Sequence, residues 1–270
     1  MKKLVLLAFI AFSLNVDAQI KLTKLWEAKD LPTPESVLSA GKILYVSLID
    51  GDASKADGKG GVAIVGTDGK IINKEWITGL NAPKGMGIYA GKLYVADINE
   101  VVVIDIKADK VIQKIPIAGT IFLNDIAVDA NGNVFVSDTR LGTVYKISNG
   151  KADLYLDKLP NANGLKVVGD DLYILSGPTL VKADKEGKTT LIASGLASGG
   201  DGIEPLSKNS FLVSCWAGLL YEVKMDGTVT LLMDTRNEKI NTADIGFNPK
   251  NKILYIPTFL KNSVMAYQVK

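Results

Sequence analysis

Glu35, Asn124, Asn163 and Asp201 are oxygen-bearing side chains that share one register of a repeated pattern. Each stands two places before the first apolar residue of an inner strand; across six repeats those residues are Val37, Met86, Ile126, Leu165, Ile203 and Ile245. Lys84 and Ala243 hold the same register in the other two repeats. Two carboxylates brought into one narrow space repel each other and lose solvation. A divalent cation relieves both costs, and the side-chain carbonyls of Asn163 and Asn124 extend its shell. An all-oxygen set favours Ca²⁺, Mg²⁺ or Mn²⁺ over a structural zinc, with Ca²⁺ first. The chain has no histidine, which removes Ser-His and Cys-His nucleophiles, histidine metal sites and a histidine general base. Taken singly, Asn124-Asp125, Asn163-Gly164 and Asp201-Gly202 are also ordinary turn pairs. The shared register is what favours a site.

The elements that must position these residues come in six copies. Each copy centres on an apolar triplet: Leu44-Tyr45-Val46, Leu93-Tyr94-Val95, Val134-Phe135-Val136, Leu172-Tyr173-Ile174, Phe211-Leu212-Val213 and Leu254-Tyr255-Ile256. Their first residues are 49, 41, 38, 39 and 43 positions apart. A period near 40 built from short strands and turns, such as Gly169-Asp170-Asp171 and Asp226-Gly227-Thr228, predicts an all-β, six-bladed β-propeller. Such a ring aims the equivalent residue of every blade at one central channel. The blades are expected near 34–72, 83–115, 122–156, 161–193, 199–234 and 241–270. The last lacks a fourth strand, and residues 20–28 (IKLTKLWEA) are spare at the other end. They are expected to close the ring as the outer strand of the final blade, which removes an exposed edge. The longest spacing reflects an insertion at 50–61. It fails the calcium-loop pattern, because Lys55 sits where the turn glycine belongs, and reads as a solvated surface loop.

Residues 1–18 read as a secretory signal peptide: Lys2-Lys3, the apolar run Leu4 to Leu14, then Val16-Asp17-Ala18 as a small-x-small cleavage pattern. The run is too short to span a bilayer. The expected product, one propeller domain over 19–270, is periplasmic or secreted and free of the membrane after cleavage. It carries 29 basic and 28 acidic residues with no basic block, which argues against nucleic acid as a partner. Cys215 is the only cysteine, so no internal disulfide forms and the core alone holds the fold.

Pro34-Glu35-Ser36-Val37, Asn124-Asp125 followed by 128–133 (VDANGN), Asn163-Gly164-Leu165 and Asp201-Gly202-Ile203 resemble the SMP-30/gluconolactonase/LRE family of regucalcin-like propellers. The resemblance runs over essentially all of residues 19–270. It implies a divalent metal on Glu35, Asn163 and Asp201, and substrate contact at Asn124. It also implies hydrolysis of a small-molecule lactone or ester, with Asp201 or a water serving in proton transfer and attack. The family places an arginine two residues before the substrate asparagine; here that residue is Phe122. Lys84 adds a cation to the ring, with two readings: it weakens metal binding, or it binds an acidic substrate instead. The repeats also resemble NHL and strictosidine-synthase-like propellers, so a non-catalytic module binding a ligand or a protein stands as the alternative. Lys84, Phe122 and Trp216 join Asn124 as candidate substrate contacts, with Trp216 read either as a pocket wall beside Asp201 or as inter-blade packing. Arg140 lies in a hairpin turn and reads as a surface charge. Asp97 and Asp138 read as turn caps, and Cys215 as a buried, unreactive thiol.

Overall fold

Each of the six repeats folds into a four-stranded antiparallel sheet. The structure, a computed structural model, describes residues 20–270; the signal peptide expected at 1–18 lies outside the described residues. The inner strands are Pro34–Ala40, Pro83–Tyr89, Leu123–Val128, Ala162–Val168, Ile203–Ser207 and Gly246–Asn248. Five of the six apolar residues aligned in the sequence pair in one register, and the sixth, Ile245, stands just before the inner strand of blade 6. Val37 pairs with Val46, Met86 with Val95, Ile126 with Val136, Leu165 with Ile174 and Ile203 with Val213. All six are buried, packing between neighbouring blades. Tyr45 and Tyr173 lie in the same seams, and Tyr94 packs against one. No α-helix occurs among the described residues; the one helical turn is the 3₁₀ segment Phe259–Lys261.

Ring closure is as the sequence predicts. Leu22–Lys29 pairs with Ser263–Val269, from Leu22 opposite Val269 to Lys29 opposite Ser263, and becomes the outer strand of blade 6. The outer strand of blade 1 differs from expectation. It runs Ile71–Leu80, well past Ile72. Three register shifts against Gly60–Gly66 break its alternation, so a period-two pattern does not show its full length.

The inner strands share an irregularity that matters for function. In blades 1 to 4 the register shifts between the first paired residue and the aligned apolar residue: Pro34/Val37, Pro83/Met86, Leu123/Ile126 and Ala162/Leu165. Two inner-strand residues therefore face one partner, a β-bulge, which re-aims side chains and frees backbone groups. The freed N–H groups are met by serines of the second strand. Ser47 Oγ accepts from Ser36 N at 2.9 Å, and Ser137 Oγ from Asp125 N at 3.0 Å. In blade 5, Ser214 Oγ accepts from Gly202 N at 2.9 Å. The residue pairs at these positions include Glu35-Ser36, Lys84-Gly85, Asn124-Asp125, Asn163-Gly164 and Asp201-Gly202.

Candidate functional site

Glu35, Lys84, Asn124 and Asp201 are almost fully buried, and Asn163 is half-buried between its neighbours. Asn163 Nδ2 donates to Asp201 Oδ1 at 2.8 Å and so joins blades 4 and 5. Asn124 Nδ2 donates to Thr139 Oγ1 at 3.0 Å. Six buried side-chain oxygens among the described residues have no hydrogen-bond partner, and two of them stand in this cluster: Glu35 Oε2 and Asn163 Oδ1. A buried acceptor left unpaired is costly. These two belong to the set Glu35, Asn163 and Asp201, and two carboxylates with an amide oxygen suit a hard cation. Among the described residues no group of three or more His, Cys, Asp or Glu side chains gathers as a metal site; this set, with two carboxylates, falls below that number.

The electrostatics bind these residues into one cluster. Burial, then the Asp201 and Asp244 charges, push the Glu35 carboxyl well above its usual range. Burial and Asp244 push Asp201 up to about 8. Burial raises Asp125 to about 7, against hydrogen bonds from the Leu165 and Ile126 N–H groups, each at 2.6 Å. Asp244 is likewise raised by desolvation and by Asp125, while its Oδ2 accepts from Ser36 Oγ. Deeper in the channel Lys166 Nζ meets Glu204 Oε2 at 2.7 Å. Burial lowers that ammonium's affinity for its proton, and Glu204 more than offsets the loss; burial also raises Glu204.

The alignment two places before the apolar residue missed Ser36, Asp125 and Asp244, which stand one place before it. The bulge doubles the channel-facing register, so both positions needed reading. Blade 6 shows the consequence, since Ala243 looked like a gap while Asp244, beside it, bridges to Ser36 of blade 1. Glycines mark the same position in blades 2, 4 and 5 because the backbones approach closely. A Cβ on Gly85 would stand 2.2 Å from Asp125 Oδ1, and one on Gly164 would stand 2.2 Å from the Asp201 carbonyl oxygen. The variant Gly164→Ala is expected to cost about 3 kcal/mol through this overlap, read as a lower urea midpoint; an unchanged midpoint would show that the Asp201 backbone is not fixed by this approach.

Phe122 packs beside two cations. Lys84 Nζ lies 4.4 Å from its ring centroid and the Arg140 guanidinium carbon 4.5 Å. Arg140 is exposed, as read from the sequence, yet it also donates from Nη2 to Ser54 Oγ at 2.7 Å. The inserted loop is therefore more than a free solvated loop. It crosses from blade 1 to blade 3, and its Ala53 carbonyl also accepts from Lys84 Nζ at 3.1 Å. Trp216 is 44% exposed on blade 5 and meets Phe259 of blade 6 edge-on, with ring centroids 5.5 Å apart. Asp97 and Asp138 are turn caps: Asp97 accepts from Asn81 N and Ala82 N, and Asp138 from Ile121, Phe122, Arg140 and Leu141 N–H groups. Cys215 is buried, its thiol pushed up to about 11 by burial. A hollow of 630 Å³ lies apart from this chemistry, against Ile20, Ser207, Asn209 and Glu222, and holds none of the channel carboxylates.

No protein-family model matches the chain, and no curated protein matches it. Solved structures do share its fold. A provisionally assigned gluconolactonase superposes with a TM-score of 0.69 at 13% identity, covering 94% of this chain and 93% of that one. A luciferin-regenerating enzyme gives 0.67 at 12% identity, covering 93% and 95%. A catalytically inactive histidine-to-alanine variant of virginiamycin B lyase from Staphylococcus aureus, with quinupristin, gives 0.65 at 12% identity, covering 93% and 99%. At these identities the likeness shows a shared β-propeller-like fold and nothing finer.

Proposed function

We propose that this chain is an exported hydrolase of lactones or related esters that works with one divalent cation held by Glu35, Asn163 and Asp201. The observation that carries the reading is the pair of buried, unpartnered oxygens, Glu35 Oε2 and Asn163 Oδ1, beside Asp201. When bound, such an ion supplies Lewis-acid polarisation of the ester carbonyl and compensates the two carboxylates. The chain's own residues do the rest. Asn163 holds Asp201 through Oδ1 and leaves Oδ2 without a hydrogen bond among the described residues. That oxygen takes the proton of the attacking water as its oxygen adds to the carbonyl carbon. It returns the proton to the alkoxide when the carbon–oxygen bond of the ester breaks. Asn124, held by Thr139, presents its remaining amide groups to the substrate. The gluconolactonase-like neighbours favour this reading over the lyase one, since a histidine-to-alanine change accompanies inactivity in the lyase and this chain has no histidine. Export rests on the leader pattern alone.

One observation favours a second reading. The Lys84 ammonium already compensates Glu35 in part, as suits a non-catalytic NHL-like propeller that binds a ligand or a protein. Calorimetric titration of chelator-treated protein with Ca²⁺ separates the two. Saturable binding at one site, weakened at least 100-fold in Asp201→Ala, is expected. If Ca²⁺, Mg²⁺ and Mn²⁺ all fail to bind, the hydrolase reading falls and the binding module takes its place.

A further inference from the structure

Lys84 is a fully buried lysine with no carboxylate in ion-pair range among the described residues; its Nζ donates to two neutral acceptors, Ala82 O at 2.8 Å and Ala53 O at 3.1 Å. Arg140, against the same Phe122 ring, also lacks an ion pair among the described residues and spends Nη2 on a serine hydroxyl. Among the nearby acids, Glu35 acts on Lys84 by its charge alone, with no ion pair between them, and two others are committed elsewhere. Asp97 caps the backbone of Asn81 and Ala82, and Asp52 bonds Ser54 N and pairs with Lys55. A desolvated ammonium held only by carbonyls and a ring face is poorly compensated, because dipoles and a quadrupole replace less of the lost hydration than a full charge does. Burial lowers the Lys84 ammonium's hold on its proton; the Glu35 and Asp97 charges offset part of that loss, and the neighbouring Arg140 charge adds to it.

We propose that Lys84 and Arg140 form an anion clamp around Phe122, and that the ligand taken at this channel mouth carries a carboxylate apart from any ester or lactone carbonyl. The proposal rests on the reading of the mouth as the substrate site and names the substrate's class. A carboxylate entering between the two cations displaces two neutral acceptors, Ala53 O and Ser54 Oγ, and makes charge-assisted hydrogen bonds in their place. Such bonds are shorter and stronger, and the guanidinium fork matches a carboxylate's two oxygens. Phe122 supplies an apolar wall that thins the water around the clamp and strengthens its field. A single negative charge suits the position, since the Glu35 and Asp97 charges already act on Lys84 and repel a second one. Ala53 and Ser54 belong to the inserted loop, so binding also releases that loop from its two contacts with the mouth.

The test uses the full chain in chelator, with gluconate as the anionic probe and gluconamide as its neutral counterpart, both by calorimetry. Wild-type protein is expected to bind gluconate at least 10-fold more tightly. Arg140→Ala should erase the preference and Arg140→Lys should keep part of it; both variants should still unfold in one cooperative melt, since Arg140 is exposed and outside the core clusters. Equal affinity for the two probes, no gluconate binding, or a full preference surviving in Arg140→Ala overturns the clamp. A parallel Ca²⁺ titration keeps the two ideas apart. Clamp failure with Ca²⁺ binding retained leaves the hydrolase reading standing, while an intact clamp without cation binding removes that reading and preserves the anion site.

Discussion

Deleting residues 20–29 is expected to abolish cooperative folding or lower Tm by roughly 20 °C. The segment supplies the whole outer strand of blade 6. It also locks the seam with blade 1: Trp26 Nε1 donates to Thr67 O at 3.0 Å, and its ring lies 5.8 Å from that of Tyr255. Ala28 and the following Leu31 are buried in the same seam. Reciprocal bonds between Lys21 and Lys270, at 2.9 and 3.0 Å, tie the two ends together. Without this strand, Ser263–Val269 becomes an unpaired edge open to aggregation. No disulfide shares the load, as Cys215 is the only cysteine. Trp26→Ala provides a graded control: loss of a large seam aromatic costs about 4 kcal/mol, or roughly 10 °C for a domain of this size. Circular dichroism melts of both variants are the measurement. A deletion that melts with the wild type would mean that the ring stays closed without its last strand.

That closure was legible in the sequence because it follows from counting: six triplets fix six blades, and a short final repeat leaves one strand to be supplied from the other end. The ring of Glu35, Lys84, Asn124, Asn163 and Asp201 was legible for the same reason, since one register recurs. Asp125 and Asp244 were not. A period-two reading assigns one channel-facing residue per turn of the pleat, and the bulge places two there. Arg140 was hidden differently. It sits in a turn whose local sequence says only that it is exposed, and its contacts with Ser54 and Phe122 span 86 and 18 positions. The inserted loop's contacts with the mouth were hidden likewise, because they depend on Lys84 and Arg140 of other blades. Local pattern fixes strands and caps such as Asp97 and Asp138; it carries little about which loop rests on which neighbour.

The cation-free protein is expected to lose stability as pH rises from 5 to 8, against the usual behaviour of paired carboxylates. Unfolded Asp and Glu titrate near pH 4. In the folded channel, burial lifts Asp125 to about 7 and Asp201 to about 8, with Glu35 and Asp244 also raised. Between those limits the folded chain binds more protons than the unfolded chain, so the free energy of unfolding falls with pH. The stabilisation is full below about pH 4 and is lost as pH climbs through about 7 for Asp125 and about 8 for Asp201. The groups interact, so their losses do not simply add. A net loss of about 3 kcal/mol, or roughly 10 °C in Tm, is expected across this window. Millimolar Ca²⁺ should restore most of it at pH 8 and little at pH 5, because protons and cation compete for Glu35 and Asp201. Asp201→Asn should flatten the pH dependence and remove the Ca²⁺ effect together. Melts from pH 5 to 8, with chelator and with Ca²⁺, provide the check. A profile that rises with pH would show the channel carboxylates to be compensated within the fold, with Lys84 and Lys166 the cations at hand to do it.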